Sequence, residues 1–533
     1  MRLCYTCTQH TLKVLIRVPR GVCKKEKFLR IPMAHIDCEA FFQGSLFTVK
    51  EVFPGICKSR KTFAAFSPME RKRNFFMFCR IFEDFEKTRR NTMALRRGKK
   101  TEKWHILYGV VLALWGVLLA PGKSPGAGFA LYEFGARGNA LGGTLVGRAD
   151  DPSAVYFNPA GITQLEGEQM MVGVTAISPS AKITSSTWGV ASNNDKTFWP
   201  PHMYYSKQIS DTQWLGVGVF SRFGLGTDFD PDWFGRYNHY KTEITSLSLN
   251  PVYAWKLNEN LSVAFGVEAM WFEYDTKKKL DWAALAGGTA PDPSSNLADI
   301  DSRLLGDSWG YGINVAFHWQ ATEKSRFGLS WRSSVKQSLK GDVTFNKPTL
   351  PAPYTIPEGF FDNTGAQGDV TLPDTLSLGW AYQLSDKCSV ELGGAWTKWS
   401  TYDALTITYD EPLVPGNPKS QYSYAPKHWK DAWRYALGVE YALSDTWDLR
   451  LGYVYDESPI PDGYVDYVVP TADRQIYCLG FGWKGERYTV DFSYMYLSMD
   501  DRYVAGDPAA GIYPSRLSDG DTQLIGLSVS WVF

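Results

Sequence analysis

Residues 521–533 read DTQLIGLSVSWVF and alternate between large apolar and small or polar side chains. One side of this two-residue period carries the large apolar residues and the other carries glycine and serine: Ile525, Leu527, Val529, Trp531 and Phe533 against Gly526, Ser528 and Ser530. The pattern predicts a β-strand with one apolar and one small polar face. A soluble sandwich strand can alternate in the same way, so the other strands must decide the fold.

Comparable strands recur from residue 168 to the end of the chain. The clearest ones span residues 261–275, 308–320, 432–443, 446–455, 475–484 and 487–498. Within 308–320, large apolar residues such as Trp309, Tyr311 and Ile313 share one face, while Asn314 and His318 lie on the other. Six large apolar residues on one face of a strand suit contact with lipid.

The connections between these strands alternate between short and long. Turn-like connections occur at residues 210–212, 258–260, 322–324, 385–387, 444–445 and 485–486. Long loops lie near 179–197, 224–240, 276–306, 342–368, 410–428, 458–471 and 500–518. Periplasmic turns and extracellular loops alternate in this way. Residues 168–533 are therefore predicted to form an all-β, antiparallel transmembrane barrel of about fourteen strands.

The composition agrees with a barrel. Aromatic residues make up 15% of the 533 residues, but the mean hydropathy is only −0.25. An α-helical membrane protein would be far more apolar. In a membrane barrel only the outward residues meet lipid, and aromatic girdles mark both interfaces.

The zero net charge conceals two unlike segments. Residues 1–126 hold 25 Lys and Arg and 9 Asp and Glu, a net charge of +16; subtraction from the totals of 56 and 56 leaves 31 and 47, a net of −16, for residues 127–533. Residues 93–126 explain the change, because a basic stretch precedes the apolar run ILYGVVLALWGVLLA and the small residues Ser124 and Gly126. This order predicts a secretory signal peptide, with an uncleaved anchor as the alternative.

Residues 1–92 precede the predicted signal peptide, so we interpret them as an upstream extension of the reading frame without a function of its own. Cys4 and Cys7 form a CxxC without a second ligand pair at metal spacing, which argues against zinc. No nucleic-acid-binding fold accompanies the basic runs. We expect no metal, no cofactor and no nucleic-acid partner.

Residues 127–167 are rich in glycine and alanine and lack sustained alternation. A phosphate loop is not favoured, because no strand precedes the glycines and no Lys-Ser/Thr follows them. The segment is predicted to be a compact plug with short helices, which we call the hatch. Within it, Asn158 should cap a helical turn that begins at Pro159 and Ala160.

With plug and barrel in place, residues 127–533 resemble the FadL family of outer-membrane long-chain fatty acid transporters, which includes hydrocarbon uptake channels. The start AGFALYEF is similar to the amino-terminus of that family, and AVYFNPAGIT carries its Asn-Pro-Ala hatch motif at Asn158, Pro159 and Ala160. Further similar segments, in order, are WLGVGVFSRFGLGTDF, LPDTLSLGWAY, WTKWSTYDAL, DAWRYALGVEY and LRLGYVYDESPIPD.

The resemblance implies a fourteen-stranded barrel with an amino-terminal hatch. External loops would catch a long-chain fatty acid or another hydrophobic ligand, which would reach a lumenal pocket at Ala127, Gly128 and Phe129. Hatch movement and a kinked third strand would then release it sideways into the outer membrane, driven by its gradient alone. Aromatic or alkane hydrocarbons are the alternative cargo.

The loop after the third strand holds an unusual apolar load: Phe223, Leu225, Phe229, Trp233 and Phe234. An exposed apolar cluster often marks a binding surface, so we expect a capture site here. Loops that pack on one another are the alternative.

Several charged residues should face the lumen by alternation: Glu268, Arg332, Glu391, Arg434, Glu440, Arg450 and Asp491. Glu440 and Arg450 flank one tight turn and are expected to pair. Structural ladders are the favoured role, although one or two basic residues could hold a carboxylate. Cys388 and Cys478 lie on distant strands and are expected not to form a disulfide.

Two other functions compete with transport of hydrophobic compounds. An outer-membrane hydrolase would need Ser, His and an acid to converge, and His318 lacks such neighbours in the sequence. A general porin would keep an open channel, which the hatch opposes.

We therefore expect a non-enzymatic monomer in the bacterial outer membrane, surrounded by lipid. The carboxy-terminal Phe533 should be recognised by the barrel-assembly machinery.

We predict that the mature protein begins at or very near Ala127, because signal peptidase cuts after small residues such as the Ser124/Gly126 pair. Amino-terminal sequencing of protein isolated from outer membranes tests this. A mature protein that retains any residue before Met93 would contradict both the cleavage site and the interpretation of residues 1–92.

Overall fold

The computed structural model describes residues 128–352 and 355–533, together with three short backbone segments near the amino-terminus. Those segments are β1 (Arg2–Thr8), β2 (Thr11–Arg17) and β3 (Lys27–Pro32), which pair in an antiparallel sheet that the sequence analysis did not predict. The chain divides into two compact units, Met1–Leu112 and Ala113–Phe533. The predicted signal peptide and Ala127 lie outside the described residues.

The second unit contains a closed antiparallel barrel. Its first half is built from β4 (Glu168–Ser185), β5 (Gly189–Ser192), β6 (Pro201–Ser210), β7 (Gln213–Phe220), β8 (Gly224–Asp228), β9 (Lys241–Lys256), β10 (Leu261–Asp281), β11 (Asp299–Thr322), β12 (Ser325–Arg332) and β13 (Val335–Asn346). Its second half is built from β14 (Thr364–Leu372), β15 (Thr375–Ser385), β16 (Cys388–Thr397), β17 (Ala404–Tyr409), β18 (Tyr422–Pro426), β19 (Ala432–Ala442), β20 (Trp447–Asp456), β21 (Arg474–Lys484), β22 (Tyr488–Met499), β23 (Arg502–Val504) and β24 (Ser515–Val532).

These segments make fourteen wall strands in the described part of the chain, as predicted. Some wall strands are interrupted: β5 continues in β6, β7 in β8, β12 in β13, β14 in β15, β16 in β17, β18 in β19 and β22 in β23. The barrel closes where β24 pairs with β4, with Leu527 opposite Val174. Closure satisfies the backbone groups that lipid cannot hydrogen-bond.

The predicted alternation between lipid and lumen is confirmed. On β11, Trp309, Tyr311 and Ile313 are 58%, 74% and 40% exposed on the outer face. Their neighbours Asn314 and His318 point into the lumen and are buried. The apolar side of each strand therefore forms the outer surface of the barrel.

Several strands continue further than the sequence indicated. β10 and β11 extend to Asp281 and from Asp299, inside the predicted loop 276–306. Cross-strand ion pairs support the extension: Arg303 Nε lies 2.9 Å from Asp275 Oδ1. Charged residues end the apolar pattern of the outer face here, but the hydrogen-bonded ladder continues past them. The predicted loop 276–306 was therefore too long.

The remaining elements are short helices. They are α1 (Ala136–Ala140), α2 (Ala154–Phe157), α3 (Trp282–Gly287) and 3₁₀-helices at Pro159–Gln164, Trp399–Thr401, Pro418–Gln421, Asp462–Tyr464 and Pro508–Ala510. No helix among the described residues combines the length and the apolar character that a membrane span requires.

The third wall strand is broken between β7 and β8. Phe220 pairs with Ser248 and Gly224 with Thr245, so residues 221–223 lie opposite only residues 246–247. Ser246 closes this bulge, because its Oγ accepts from Phe223 N (3.0 Å) and donates to Phe223 O (2.7 Å). Beyond the break, β8 pairs with β9 but with no second strand among the described residues; on its other side Gly224 N donates to Phe129 O at 3.0 Å and Asp228 O accepts from Asn194 N at 2.6 Å.

We predict that Ile313→Arg weakens insertion by about 2–4 kcal/mol, because a guanidinium near the middle of the lipid-facing band must lose its hydration. Urea titration of folding into lipid vesicles measures the change. Glu323→Arg, in the turn after β11, is the matched control and should have little effect. Equal shifts for both variants would place Ile313 outside the bilayer.

Candidate functional site

The hatch, residues 128–167 in the structure, lies inside the barrel. Its first helix, α1, begins in contact with the barrel wall. Ala136 N at the start of α1 donates to Ser528 Oγ on β24 at 2.8 Å. Glycines on the wall permit this approach: a Cβ added to Gly480 would lie 2.3 Å from Ala140 Cβ. Small residues on the inner face of the wall therefore set the position of the hatch.

The Asn158-Pro159-Ala160 motif forms the predicted cap. Asn158 Oδ1 accepts from Ala160 N at 3.2 Å, and Pro159 opens the 3₁₀-helix. Asn158 Nδ2 also donates to Val146 O (2.8 Å) within the hatch and to Phe317 O (2.9 Å) on β11. One side chain thus fixes a turn, joins two parts of the hatch and ties both to the wall.

A network of buried charges anchors the hatch near Glu440. Arg137 Nε and Arg148 Nη1 lie 3.0 and 2.7 Å from the Glu440 carboxylate. Arg450 Nε lies 2.6 Å from the same carboxylate, which confirms the predicted Glu440–Arg450 pair. Loss of one member of such a buried network leaves an uncompensated charge, at a cost of about 3–5 kcal/mol.

Other lumenal charges hold the hatch through its backbone. Glu391 Oε1 accepts from Gly147 N at 2.6 Å and from Arg148 N at 3.3 Å. His318 Nε2 lies 3.0 Å from Gly147 O, so this inward-facing histidine also contacts the hatch backbone. The residues predicted to face the lumen are buried or nearly so, and most of them serve structural contacts.

At the start of the hatch, five aromatic side chains form a cluster that we call the aromatic cage: Phe129, Phe223, Trp399, Tyr402 and Trp429. Phe129 occupies its centre, with ring centroids 4.8 Å from Trp399, 5.8 Å from Tyr402, 5.7 Å from Trp429 and 6.0 Å from Phe223. Edge-to-face contacts predominate, which is the favoured geometry for aromatic pairs.

Backbone pairing brings the start of the hatch to the strand break. Leu131 N donates to Arg222 O at 2.8 Å, and Gly224 N donates to Phe129 O at 3.0 Å. A Cβ on Gly128 would lie 2.6 Å from the Trp429 ring, so the chain must be glycine there. The structure therefore brings Phe223, expected in the capture loop, next to Gly128 and Phe129, which were expected in a lumenal pocket.

Sequence reasoning missed Trp399, Tyr402 and Trp429. Trp399 has no exposed surface, and its indole N–H has no hydrogen-bond partner within the described part of the chain. Alternation along β16 could have indicated that Trp399 faces inward, because Trp399 lies two residues after the inward-facing Thr397 at the end of that strand.

A charged group lies beside the cage. Arg222 Cζ lies 5.2 Å from the centre of the Phe223 ring, and Arg222 Nη1 donates to Glu268 Oε2 at 2.9 Å. Arg332 Nη1 lies 3.7 Å from the same Glu268 oxygen. These three buried side chains carry two positive charges and one negative charge, so this part of the lumen attracts an anion.

The expected capture residues are not exposed. Phe229, Trp233 and Phe234 are 0%, 6% and 6% exposed, because their rings pack inside the extracellular loops, and Leu225 is partly buried against the same cluster. Phe229 stacks on Trp233 at 4.3 Å, and Trp233 contacts Tyr467 at 5.0 Å. This arrangement matches the alternative expectation, in which the loops pack on one another.

Nearby loops are also joined by a buried ion pair between Lys427 and Asp466. Burial by itself raises the pKa of the Asp466 carboxyl, but the Lys427 ammonium more than offsets this and holds that pKa below its ordinary value. The pair therefore fixes the segment that carries Trp429.

A serine–histidine pair does occur, but it lacks catalytic features. His202 Nε2 lies 2.8 Å from Ser528 Oγ, whereas His202 Nδ1 is buried without a hydrogen-bond partner in the described residues. A hydrolytic triad needs an acid at that nitrogen. Ser528 instead holds Ala136, so the pair supports the hatch. Cys388 and Cys478 are free, as expected.

Comparisons with known proteins agree with this architecture. A family model described as "Outer membrane protein transport protein (OMPP1/FadL/TodX)" matches residues 117–533. A long-chain fatty acid transport protein of Escherichia coli O6:H1 is 27% identical over 433 residues, which cover 76% of this chain and 94% of that protein. Outer membrane protein P1 of Haemophilus influenzae is 26% identical over 426 residues, covering 72% and 88%.

Solved structures share the fold. A FadL homologue from Pseudomonas aeruginosa superposes with a TM-score of 0.66 at 21% identity, covering 76% of this chain and 99% of that one. The toluene transporter TodX of P. putida gives a TM-score of 0.58 at 16% identity, covering 75% and 98%.

We predict that Asn158→Ala loosens the hatch by about 2–3 kcal/mol, since it removes a cap worth about 1 kcal/mol and two further hydrogen bonds of similar worth. The variant should show more frequent openings in planar bilayers. Asn417→Ala removes a matched cap before Pro418, in which Oδ1 accepts from Lys419 N at 3.2 Å in an exposed loop, and should leave conductance unchanged. Identical conductance for Asn158→Ala and the unmodified protein would show that the motif does not hold the closed state.

Proposed function

This chain belongs to the OMPP1/FadL/TodX family of outer membrane transport proteins, and on that premise we propose that its cargo is a long-chain fatty acid. It is a non-enzymatic β-barrel of the bacterial outer membrane that carries hydrophobic compounds. In the proposed mechanism, the external loops admit the ligand, the aromatic cage binds it, and the hatch moves. The ligand then leaves sideways at the break in the third wall strand.

The observation that carries the choice of cargo is the excess positive charge beside the cage. An apolar hydrocarbon would gain nothing from Arg222, whose guanidinium lies 5.2 Å from the Phe223 ring. A fatty acid would place its chain among the aromatic rings and its carboxylate at that guanidinium. Charge-assisted bonds to arginine are about twice as strong as neutral ones.

Phe129 occupies the place that the acyl chain would take. Burial of one phenylalanine side chain is worth about 1.5–3 kcal/mol, and each buried methylene about 0.8 kcal/mol. About four methylenes therefore offset the displacement of Phe129, and a long acyl chain has enough of them. Because Phe129 is continuous with the hatch, its displacement would bias the hatch towards an open arrangement. Ala127 and Gly128 would move with it.

The edge of β8 that has no wall strand beside it supports a lateral exit. Beyond the break, β8 pairs with β9 on one side, and on the other side Gly224 N donates to Phe129 O of the hatch rather than to a wall strand, so movement of the hatch would open this edge. Transport of this kind needs no nucleotide or metal, since the gradient of the ligand supplies the free energy.

Aromatic or alkane hydrocarbons are the second candidate cargo. The cage itself favours them, because its contacts are apolar and aromatic. TodX, which shares the fold, is described as a toluene transporter. Trp233 and Phe234 could still guide either ligand if the loops open, so their role in capture stays a hypothesis.

Assembly is also a proposal. Phe533 is 72% exposed at the end of β24, where the barrel-assembly machinery would reach it. We expect a monomer surrounded by outer-membrane lipid.

We predict that cells lacking their own fatty acid channel, when supplied with this protein, take up palmitate in preference to methyl palmitate and toluene. Arg222→Gln should lower palmitate affinity about tenfold, since a hydrogen bond to a charged group is worth about 1.5–3 kcal/mol. Toluene uptake should not change. Radiolabelled ligand uptake measures each of these.

Arg474→Gln is the matched control. Arg474 and Arg434 share Asp456, as Arg222 and Arg332 share Glu268, but they lie on β21 and β19 rather than at the strand break. It should leave palmitate affinity unchanged. Preferential uptake of toluene, unaffected by Arg222→Gln, would favour the hydrocarbon alternative.

A further inference from the structure

Arg332, at the end of β12, is fastened to the hatch. Its Nη2 donates to Val155 O at 3.0 Å and to Tyr156 O at 2.9 Å, both in α2. Its Nη1 donates to Asn250 Oδ1 at 3.0 Å on β9. Arg332 is 3% exposed, so these bonds hold α2 to the wall in a water-poor environment.

Glu268 on β10 connects the Arg332 guanidinium to the strand break. Glu268 Oε2 accepts from Arg222 Nη1 at 2.9 Å and lies 3.7 Å from Arg332 Nη1. Arg222 is the middle residue of the break at 221–223, and its carbonyl accepts from Leu131 N of the hatch. A continuous chain of polar contacts thus runs from α2 to the break.

Arg222, Glu268 and Arg332, which we call the triad, do not satisfy all of their hydrogen-bonding groups. Glu268 Oε1 and Arg332 Nε are buried without a hydrogen-bond partner in the described part of the chain. The Glu268 carboxylate is bonded to Arg222 but stands beyond hydrogen-bond distance from Arg332. A buried carboxylate between two arginines has a second arrangement available, in which it bonds to Arg332 instead. Elements with two discrete arrangements are what couples distant sites.

From this geometry we infer that Arg222, Glu268 and Arg332 couple substrate binding to release of the hatch. The inference rests on the proposed fatty acid cargo. When the carboxylate of the substrate pairs with Arg222, Glu268 is displaced and turns to Arg332. Arg332 then withdraws Nη2 from the carbonyls of Val155 and Tyr156, which frees α2.

After the exchange both arginines are bonded to a carboxylate, because the substrate supplies the negative charge that the triad lacks. The substrate shifts the equilibrium only because it binds the exchanged arrangement more tightly. A neutral ligand can enter the cage but leaves Glu268 on Arg222. Glu268 and Arg332 are therefore positioning residues that act on the hatch without contacting the acyl chain.

The test separates binding from opening. Glu268→Gln keeps the shape of the side chain but removes the charge that pulls on Arg332. In the unmodified protein, palmitate should raise bilayer conductance roughly tenfold, within the usual range for coupled sites. In Glu268→Gln, palmitate should bind at least as tightly, because Arg222 has lost its competitor, but conductance should not rise and uptake should fall by a similar factor.

Two variants serve as controls. Glu391→Gln also removes a buried carboxylate that holds the hatch, at Gly147 N, but it lies outside the triad. It should raise conductance without ligand and keep the response to palmitate. Glu268→Asp retains the charge and should restore part of the response. Methyl palmitate should raise the conductance of each variant no more than it raises that of the unmodified protein.

A Glu268→Gln protein that opens with palmitate as the unmodified protein does would overturn the coupling while the proposed function stands. The coupling is also overturned if Glu268→Gln and Glu391→Gln behave alike, since the triad would then be only another anchor. Failure of palmitate to bind the unmodified protein would remove the proposed cargo and the coupling with it.

If Glu268→Gln does not fold, Arg332→Lys provides the second variant. Lysine keeps the charge but cannot present a guanidinium fork to two carbonyls. It should raise conductance without ligand and reduce the relative response to palmitate. An unchanged baseline and response in Arg332→Lys would also overturn the inference.

Discussion

The closed ladder of backbone hydrogen bonds, completed between β24 and β4, is the constraint on which this structure depends. Lipid offers no partners for backbone N–H and C=O groups, so a sheet in a membrane must have no open edge. Closure then imposes strict alternation, with apolar side chains outside and small or polar ones inside. The break between β7 and β8 departs from this rule, and Ser246 satisfies the backbone of Phe223 there.

A fourteen-stranded barrel encloses more space than its own side chains fill, and the hatch occupies that space. Glycines on the wall let the hatch backbone come close, as at Gly480 and Ala140. Charged pairs then fix its orientation, with Glu440 shared among Arg137, Arg148 and Arg450. Buried ion pairs contribute little net stability compared with apolar packing. They suit a part that must be held in one place and that, in the proposed mechanism, also moves.

The aromatic cage and the neighbouring charges impose opposite demands on the same region. The cage excludes water and suits an apolar chain, while Arg222, Glu268 and Arg332 need charge compensation in a poorly solvated place. Phe129 meets the first demand in the closed state, and Glu268 meets the second only in part. Both residues stand where the proposed ligand would place its chain and its carboxylate. The closed hatch is thus held by contacts that an amphiphilic ligand can replace.

The sequence by itself determined the local features of this protein. The period of two fixed which residues face lipid, short turns fixed hairpin registers such as Glu440 opposite Arg450, and Asn158 with Pro159 fixed a cap. Each depends on residues close together along the chain. Tertiary structure alone decided what meets across the lumen: Phe129 with Trp399, Ser528 with His202, and Arg332 with Val155. It also buried Phe229, Trp233 and Phe234, which the sequence suggested were exposed. Alternation states that a side chain points inward, but the partner it finds there depends on barrel closure and on the path of the hatch, which no local pattern encodes.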